Sequence, residues 1–177
     1  MKKTLSLLVV AIIALTSSIN ASGQWTDRNT FNLKGPVKAV YEDGSDYASM
    51  EFDEEGSLII TEEGCFIERY KNNRIGCVGP VYNYYTFSYS YYFFSYNKKG
   101  QVSKTTLESA SGTQETNTYT YNTKGLIISK HTSSFGGEST DATTYTYQKF
   151  DKYGNWIKRT AKTKYRTTVQ TRTITYY

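Results

Sequence analysis

The sequence predicts an all-β fold, an extended antiparallel meander with the freedom to curl on itself, and three observations predict it. A seven-residue phrase recurs four times: an aromatic, Asp or Asn, two free positions, Gly, one more, and an apolar residue. The copies run 52–58, 96–102, 121–127 and 150–156. The 28 aromatics (18 Tyr, 8 Phe and 2 Trp) and the abundant Thr and Ser favour strands over helices. Between the phrases, residues alternate with the period of a strand, as in Thr116-Asn117-Thr118-Tyr119-Thr120-Tyr121.

Each phrase encodes a hairpin. The Asp or Asn (Asp53, Asn97, Asn122, Asp151) takes the first position of a type I turn, where its side chain accepts from the backbone two residues on. The Gly three residues later (Gly56, Gly100, Gly125, Gly154) supplies the left-handed conformation that closes a bulged loop. The aromatic and the apolar residue then face each other across the two strands.

In chain order, Lys2 and Lys3 followed by an apolar run at 5–15 and the small residues Ala21-Ser22-Gly23 predict a secretory signal peptide over 1–23, cut after Ala21 or Gly23. The run is too short for a membrane span, and no other stretch could cross as a helix. Residues 24–177 then form a single domain, exported to the periplasm or cell surface. Gly35-Pro36 opens the first strand and Asp43-Gly44 turns it. A shortened copy of the phrase, Tyr70-Lys71-Asn72-Asn73-Arg74-Ile75, follows the first full one. Outer loops lie at 109–113 and 133–139, and the chain ends on a strand at 170–177. The expectation is about ten strands and almost no helix.

Cys65 and Cys77 are the only cysteines, and in an exported chain they leave two alternatives open, a disulfide or two partly buried thiols. Without Lys2 and Lys3 the formal net charge falls from +5 to +3, too mild to imply nucleic acid. After Asp151 there are no acids but seven basic residues: Lys152, Lys158, Arg159, Lys162, Lys164, Arg166 and Arg172. Protection of a sheet edge is the favoured reading, and an anionic partner the sharper one.

Catalytic chemistry is not encoded. His131 is the only histidine, so no multi-histidine metal site can form and no nucleophile pattern accompanies it. The acid clusters 53–55 and 62–63 fall in turns; no phosphate loop, zinc spacing or calcium loop appears, and no cofactor is expected. The most distinctive stretch is 82–96, where Tyr85, Phe87, Tyr89 and Tyr91 share one parity. Packed cross-strand pairs are the plainer account of such a row. As a site, it would be a stacking platform for sugar rings, with Trp156 as a second contact unless that ring merely packs on Phe150.

The four phrases resemble YD repeats, the units of the RHS-repeat family of bacterial surface and toxin-shell proteins. The likeness covers about two thirds of residues 24–177, and the Gly35-Pro36-Val37 opening and the ending Arg172-Thr173-Ile174-Thr175-Tyr176-Tyr177 resemble small exported proteins of Bacteroidetes type. Four copies are too few for the large shell of long members, and with only Pro36 and Pro80 the chain lacks the Asp-Pro-rich self-cleavage motif. The resemblance implies the fold and an envelope setting, and carries over no catalytic residue. The expected function is a non-enzymatic binding or interaction module of the bacterial envelope, holding a surface polysaccharide on an aromatic sheet face. The alternative is an assembly subunit pairing with other envelope proteins. The sequence does not specify oligomeric state.

Overall fold

A computed structural model of the chain describes residues 25–46, 48–60, 65–83, 88–134 and 140–177. The predicted signal peptide, Tyr85 and Phe87 lie outside the described residues. One helical turn, α1 (Asp27–Thr30), precedes twelve strands: β1 (Val37–Glu42), β2 (Met50–Phe52), β3 (Leu58–Ile59), β4 (Phe66–Arg69), β5 (Ile75–Asn83), β6 (Ser88–Tyr96), β7 (Val102–Ser109), β8 (Gly112–Tyr121), β9 (Ile127–Ser134), β10 (Thr140–Phe150), β11 (Trp156–Lys162) and β12 (Thr167–Tyr176). They form a single antiparallel sheet in the order β3-β2-β1-β12-β11-β10-β9-β8-β7-β6-β5-β4. The all-β meander with almost no helix expected from the sequence is therefore the fold, with two more strands than the ten or so expected.

The repeated phrases form the predicted turns. Phe52 lies opposite Leu58, Tyr96 opposite Val102, Tyr121 opposite Ile127 and Phe150 opposite Trp156. Asn97, Asn122 and Asp151 each accept, through Oδ1, the amide two residues on (Lys99, Lys124 and Tyr153, all at 2.9 Å). They also accept the amide four residues on, from Gln101, Leu126 and Asn155, at 3.0, 3.0 and 2.9 Å. The glycines adopt φ of 94°, 81°, 80° and 82°, a region that costs an L-residue about 1–2 kcal/mol. In the short copy Asn73 takes that role at φ 63°.

The strand order dictates the shape. The chain lays down β1 to β3, crosses to the far edge at β4, and meanders back until β12 pairs with β1. Consecutive strands β3 and β4 are therefore the two edges. Laid flat, twelve strands would separate those edges by roughly 50 Å, whereas the six residues between them span at most about 25 Å. The sheet has to curl until its edges approach. They do not pair, so the barrel stays open along a seam.

The core lies at the start of the chain, where Leu33, Val37, Val40 and Phe52 are buried together under Phe31, Met50, Leu58, Ile174 and Tyr176. This defines the inner face of the curled sheet.

Edge protection by the basic C-terminal strands is overturned: β11 and β12 are flanked on both sides, and the edges lie elsewhere. Lys158 and Lys162 are exposed, whereas Arg159 is half-buried and Arg172 buried. Of the two cysteine alternatives, the structure has two thiols. The β4–β5 register sets Cys77 against Glu68, and Phe66, the neighbour of Cys65, against Gly79. That offset is about 10 Å along the strands, too far for a disulfide. Burial pushes the Cys77 thiol pKa upward.

Candidate functional site: an aromatic inner face closed at one end

The site grows out of a defect that every repeat after the first carries. Beside every turn but the first the ladder slips: between Glu68 and Arg69, Ser95 and Tyr96, Thr120 and Tyr121, and twice between Tyr147 and Phe150. A bulge leaves a carbonyl without a ladder partner, and a buried carbonyl needs a donor. The next repeat supplies one. The hydroxyl of Tyr96 donates to the Ile75 carbonyl (2.9 Å), that of Tyr121 to Val102 (2.6 Å), and that of Tyr147 to Ile127 (2.8 Å). In the last repeat Arg172 Nε donates to the Trp156 carbonyl at 2.5 Å. This accounts for tyrosine rather than phenylalanine on the inner face: the ring fills space and the hydroxyl ties one repeat to the previous one.

The bulge also resets parity. Val102 and Thr105, or Trp156 and Arg159, face inward together although three residues apart. Thr105 Oγ1 meets the Tyr119 hydroxyl at 3.0 Å, and the Arg159 guanidinium lies 4.1 Å from the Trp156 ring centre.

All five turns lie at one end of the sheet, and residues 25–36 cross that end, touching each of them. The Asp27 amide donates to the Gly56 carbonyl (3.0 Å), and Arg28 reaches the Asp53 and Glu54 carbonyls of the first turn and Val37 O (2.7 Å). Asp27 grips Arg69, beside the second turn. Trp25 packs edge-on against Tyr96 and takes the Arg74 guanidinium on its face, next to Gly100 of the third turn. Asn32 Nδ2 donates to the Gly125 carbonyl of the fourth at 2.9 Å. Lys34 exchanges two 2.8 Å backbone bonds with the buried Asn155 side chain of the fifth. The repeats thus make a ring of turns, and the amino-terminal segment stoppers it.

Along the seam, the inner face leaves a cleft of about 510 Å³. Met50, Leu58 and Ile59 line one side, Val78, Val81, Tyr92 and Phe94 the other, and Phe31 the floor. Farther round, Tyr119, Tyr121, Tyr145 and Tyr147 project half-buried from β8 and β10. Trp156, 8% exposed, is flanked by Tyr147, Arg159 and Arg172, and Arg159 also stacks over Tyr145 at 4.2 Å.

The residues singled out from the sequence are not brought together. Tyr89 (57% exposed) and Tyr91 project from the outer face of β6, while Tyr92, Phe94 and Tyr96 supply its inner one. Trp156 is packed inside, against Tyr147 rather than Phe150, whose ring stacks on Tyr147 instead. His131 is exposed on β9. Tyr145 and Tyr147 carry no signal in the sequence reading, and Arg159 and Arg172 stand there only among seven basic residues; the repeated bulge, a known companion of this turn, is the clue that shifts the parity count. Among the described residues no three His, Cys, Asp or Glu side chains converge as metal ligands, and no helix is long and apolar enough to cross a membrane. No protein-family profile matches the chain, and no curated protein matches it significantly.

Burial raises the pKa values of Tyr96, Tyr119, Tyr121, Tyr145 and Tyr147 above the ordinary phenol value. Burial, helped by the hydrogen bond to Asp151, pushes Tyr176 up to about 12. A pKa raised on folding contributes stability that is complete below the unfolded value, about 10, and lost as pH climbs through the folded values. The urea midpoint is therefore expected to hold to about pH 10 and fall steeply above it, as tyrosinate absorbance appears. Equal midpoints at pH 8 and pH 11 would contradict this.

Proposed function

We propose that this protein is a non-enzymatic binding module of the bacterial cell envelope that takes a glycan on its aromatic inner face. The observation that carries the reading is the run of partly exposed rings on that face: Tyr92 and Phe94 at the cleft, then Tyr119, Tyr121, Tyr145 and Tyr147. Flat apolar rings beside a few polar groups are what a sugar face stacks on, and a concave surface buries more of a ligand than an outer one. The basic, apolar amino-terminal stretch and the YD-like phrases support an exported protein related in design to RHS-repeat surface proteins.

The test is a glycan array probed with the purified protein and two variants, Tyr145→Ala inside and Tyr89→Ala outside. The inter-repeat bonds described above are made by Tyr96, Tyr121 and Tyr147, so both variants are expected to fold. Binding lost in Tyr145→Ala and kept in Tyr89→Ala supports the inner face. The reverse pattern moves the site to the outer surface, and an array with no positive glycan overturns the reading.

A second reading, an assembly subunit pairing with another envelope protein, is favoured by one observation. Phe66, Tyr89 and Phe93 are exposed together on the outer face of β4 and β6, beside the unpaired β4 edge. Sedimentation of a monomer at all concentrations, with no partner crosslinked in the envelope, would dismiss it.

A further inference from the structure

We propose that Arg159 and Arg172, clasping the Trp156 ring on the inner face, form a binding site for an oxyanion carried by the glycan, a carboxylate or a sulfate ester. This rests on the inner-face reading above and names the class of glycan.

The two guanidiniums lie 4.1 and 4.0 Å from the centre of one indole. Two like charges so close repel, and one of them, Arg172, is only 8% exposed. Charges buried in this way are ordinarily paired with a carboxylate. Here they are not: among the described residues the only ion pair is Arg69 with Asp27. Glu42 stands opposite Arg172 in the β1–β12 register but is exposed and makes no ion pair with it. Asp151 is committed to Tyr176, Asn155 and the amides of its own turn.

The bonds the guanidiniums do make orient them without neutralising them. Arg172 uses Nε on the Trp156 carbonyl, and Arg159 uses Nε on Gln170 Oε1 at 2.7 Å. Arg159 also meets the Tyr147 hydroxyl, a neutral partner. Among the described residues the Nη groups of Arg172 have no hydrogen-bond acceptor and no buried side-chain nitrogen or oxygen lacks a partner, so these groups reach accessible space. Forked donors held in place by a ring on one or both sides match the planar or tetrahedral oxygens of an acidic substituent. Tyr145, stacked on the far side of Arg159, is one of the rings on which the sugar would lie. Neutral sugars would leave the charge pair unanswered; an acidic one answers it and stacks in the same step.

The test is isothermal titration of polygalacturonate, its fully methyl-esterified form and dextran sulfate into the wild-type protein, Arg159→Gln and Arg159→Lys. Arg159 is chosen because it is half-buried and holds no backbone group, and near-UV circular dichroism checks each fold. Fluorescence in a Trp25→Phe background isolates Trp156. The expected result is a loss of at least about tenfold in Arg159→Gln for an acidic polymer, a smaller loss in Arg159→Lys, and no change for the ester. Ligand-dependent Trp156 emission should weaken with added salt. The two acidic polymers separate carboxylate from sulfate. An acidic polymer bound equally by wild type and Arg159→Gln overturns the proposal. So does binding of the ester alone, or equal loss for ester and acid, and those outcomes leave the inner-face glycan reading standing. No binding by any of the three overturns the oxyanion site, and the neutral glycans of the array then decide the inner face separately.

Discussion

Replacing Asp27 with alanine is expected to destabilise the protein by about 3 kcal/mol, at the low end of the range for breaking a buried ion pair, and to loosen the seam first. Asp27 is 1% exposed. Its Oδ1 and Oδ2 each take one Nη of Arg69 at 2.6 Å, and Oδ2 also takes the Leu58 amide at 2.8 Å. Leu58 belongs to one edge of the sheet and Arg69 to the other, so one carboxylate latches together two edges that do not pair. Alanine leaves the Leu58 amide and the guanidinium without that partner. The loss stays at the low end because the Arg69 side chain, 28% exposed, can turn to water and keeps the Asn73 carbonyl at 3.0 Å. Asp27→Asn retains an acceptor for Leu58 and should lose less. Urea denaturation gives the magnitude, and hydrogen exchange should quicken at β3 and β4 before it does elsewhere. A variant within about 0.5 kcal/mol of wild type would show that the latch is idle.

Phe52→Ala should cost about 3–5 kcal/mol, whereas Phe150→Ala, at the same place in the last repeat, should cost about 1 kcal/mol or less. The phrase is the same, yet the burial is opposite. Phe52 is 0% exposed, edge-on to Phe31 at 6.1 Å and packed with Leu33, Val37 and Val40. The amino-terminal segment has folded over it. Phe150 is 41% exposed and stacks on Tyr147. Truncating Phe52 opens a cavity beneath the stopper, while truncating Phe150 trims a surface stack. Comparable losses in the two variants, measured by the same denaturation, would mean that the stopper adds nothing to the core.

The two phrases mark the boundary of what could be read from the chain. That each makes a hairpin with its aromatic opposite its apolar residue was legible, and Phe52 with Leu58 and Phe150 with Trp156 are so paired. Which of those aromatics would be buried was not legible, because the difference lies in residues 25–36, more than 100 positions from Phe150. Parity alone makes one face of the tyrosine strand out of Tyr85, Phe87, Tyr89 and Tyr91. Its described members Tyr89 and Tyr91 lie outside, because the core is on the side of Phe94 and Tyr96. Trp156 was expected either at the surface or against Phe150. The bulge beside its turn instead brought it into line with Arg159, and long-range pairing brought Arg172 against the same ring.

What the sequence determined by itself is the set of turns and the strand character between them. A turn is settled within five or six contiguous residues, by an Asx side chain bonded to nearby amides and a glycine free to take positive φ, so no distant partner has a vote. What only the tertiary structure decided is the closure, the inner face and the site. The pairing of β1 with β12 joins residues about 135 apart, puts the basic strands in the middle of the sheet and makes β3 and β4 its edges. Facing is equally non-local, since a single extra residue in a bulge turns every later side chain over. The pairing of Arg159 with Arg172 around one indole follows from both effects, and neither can be counted out along the chain.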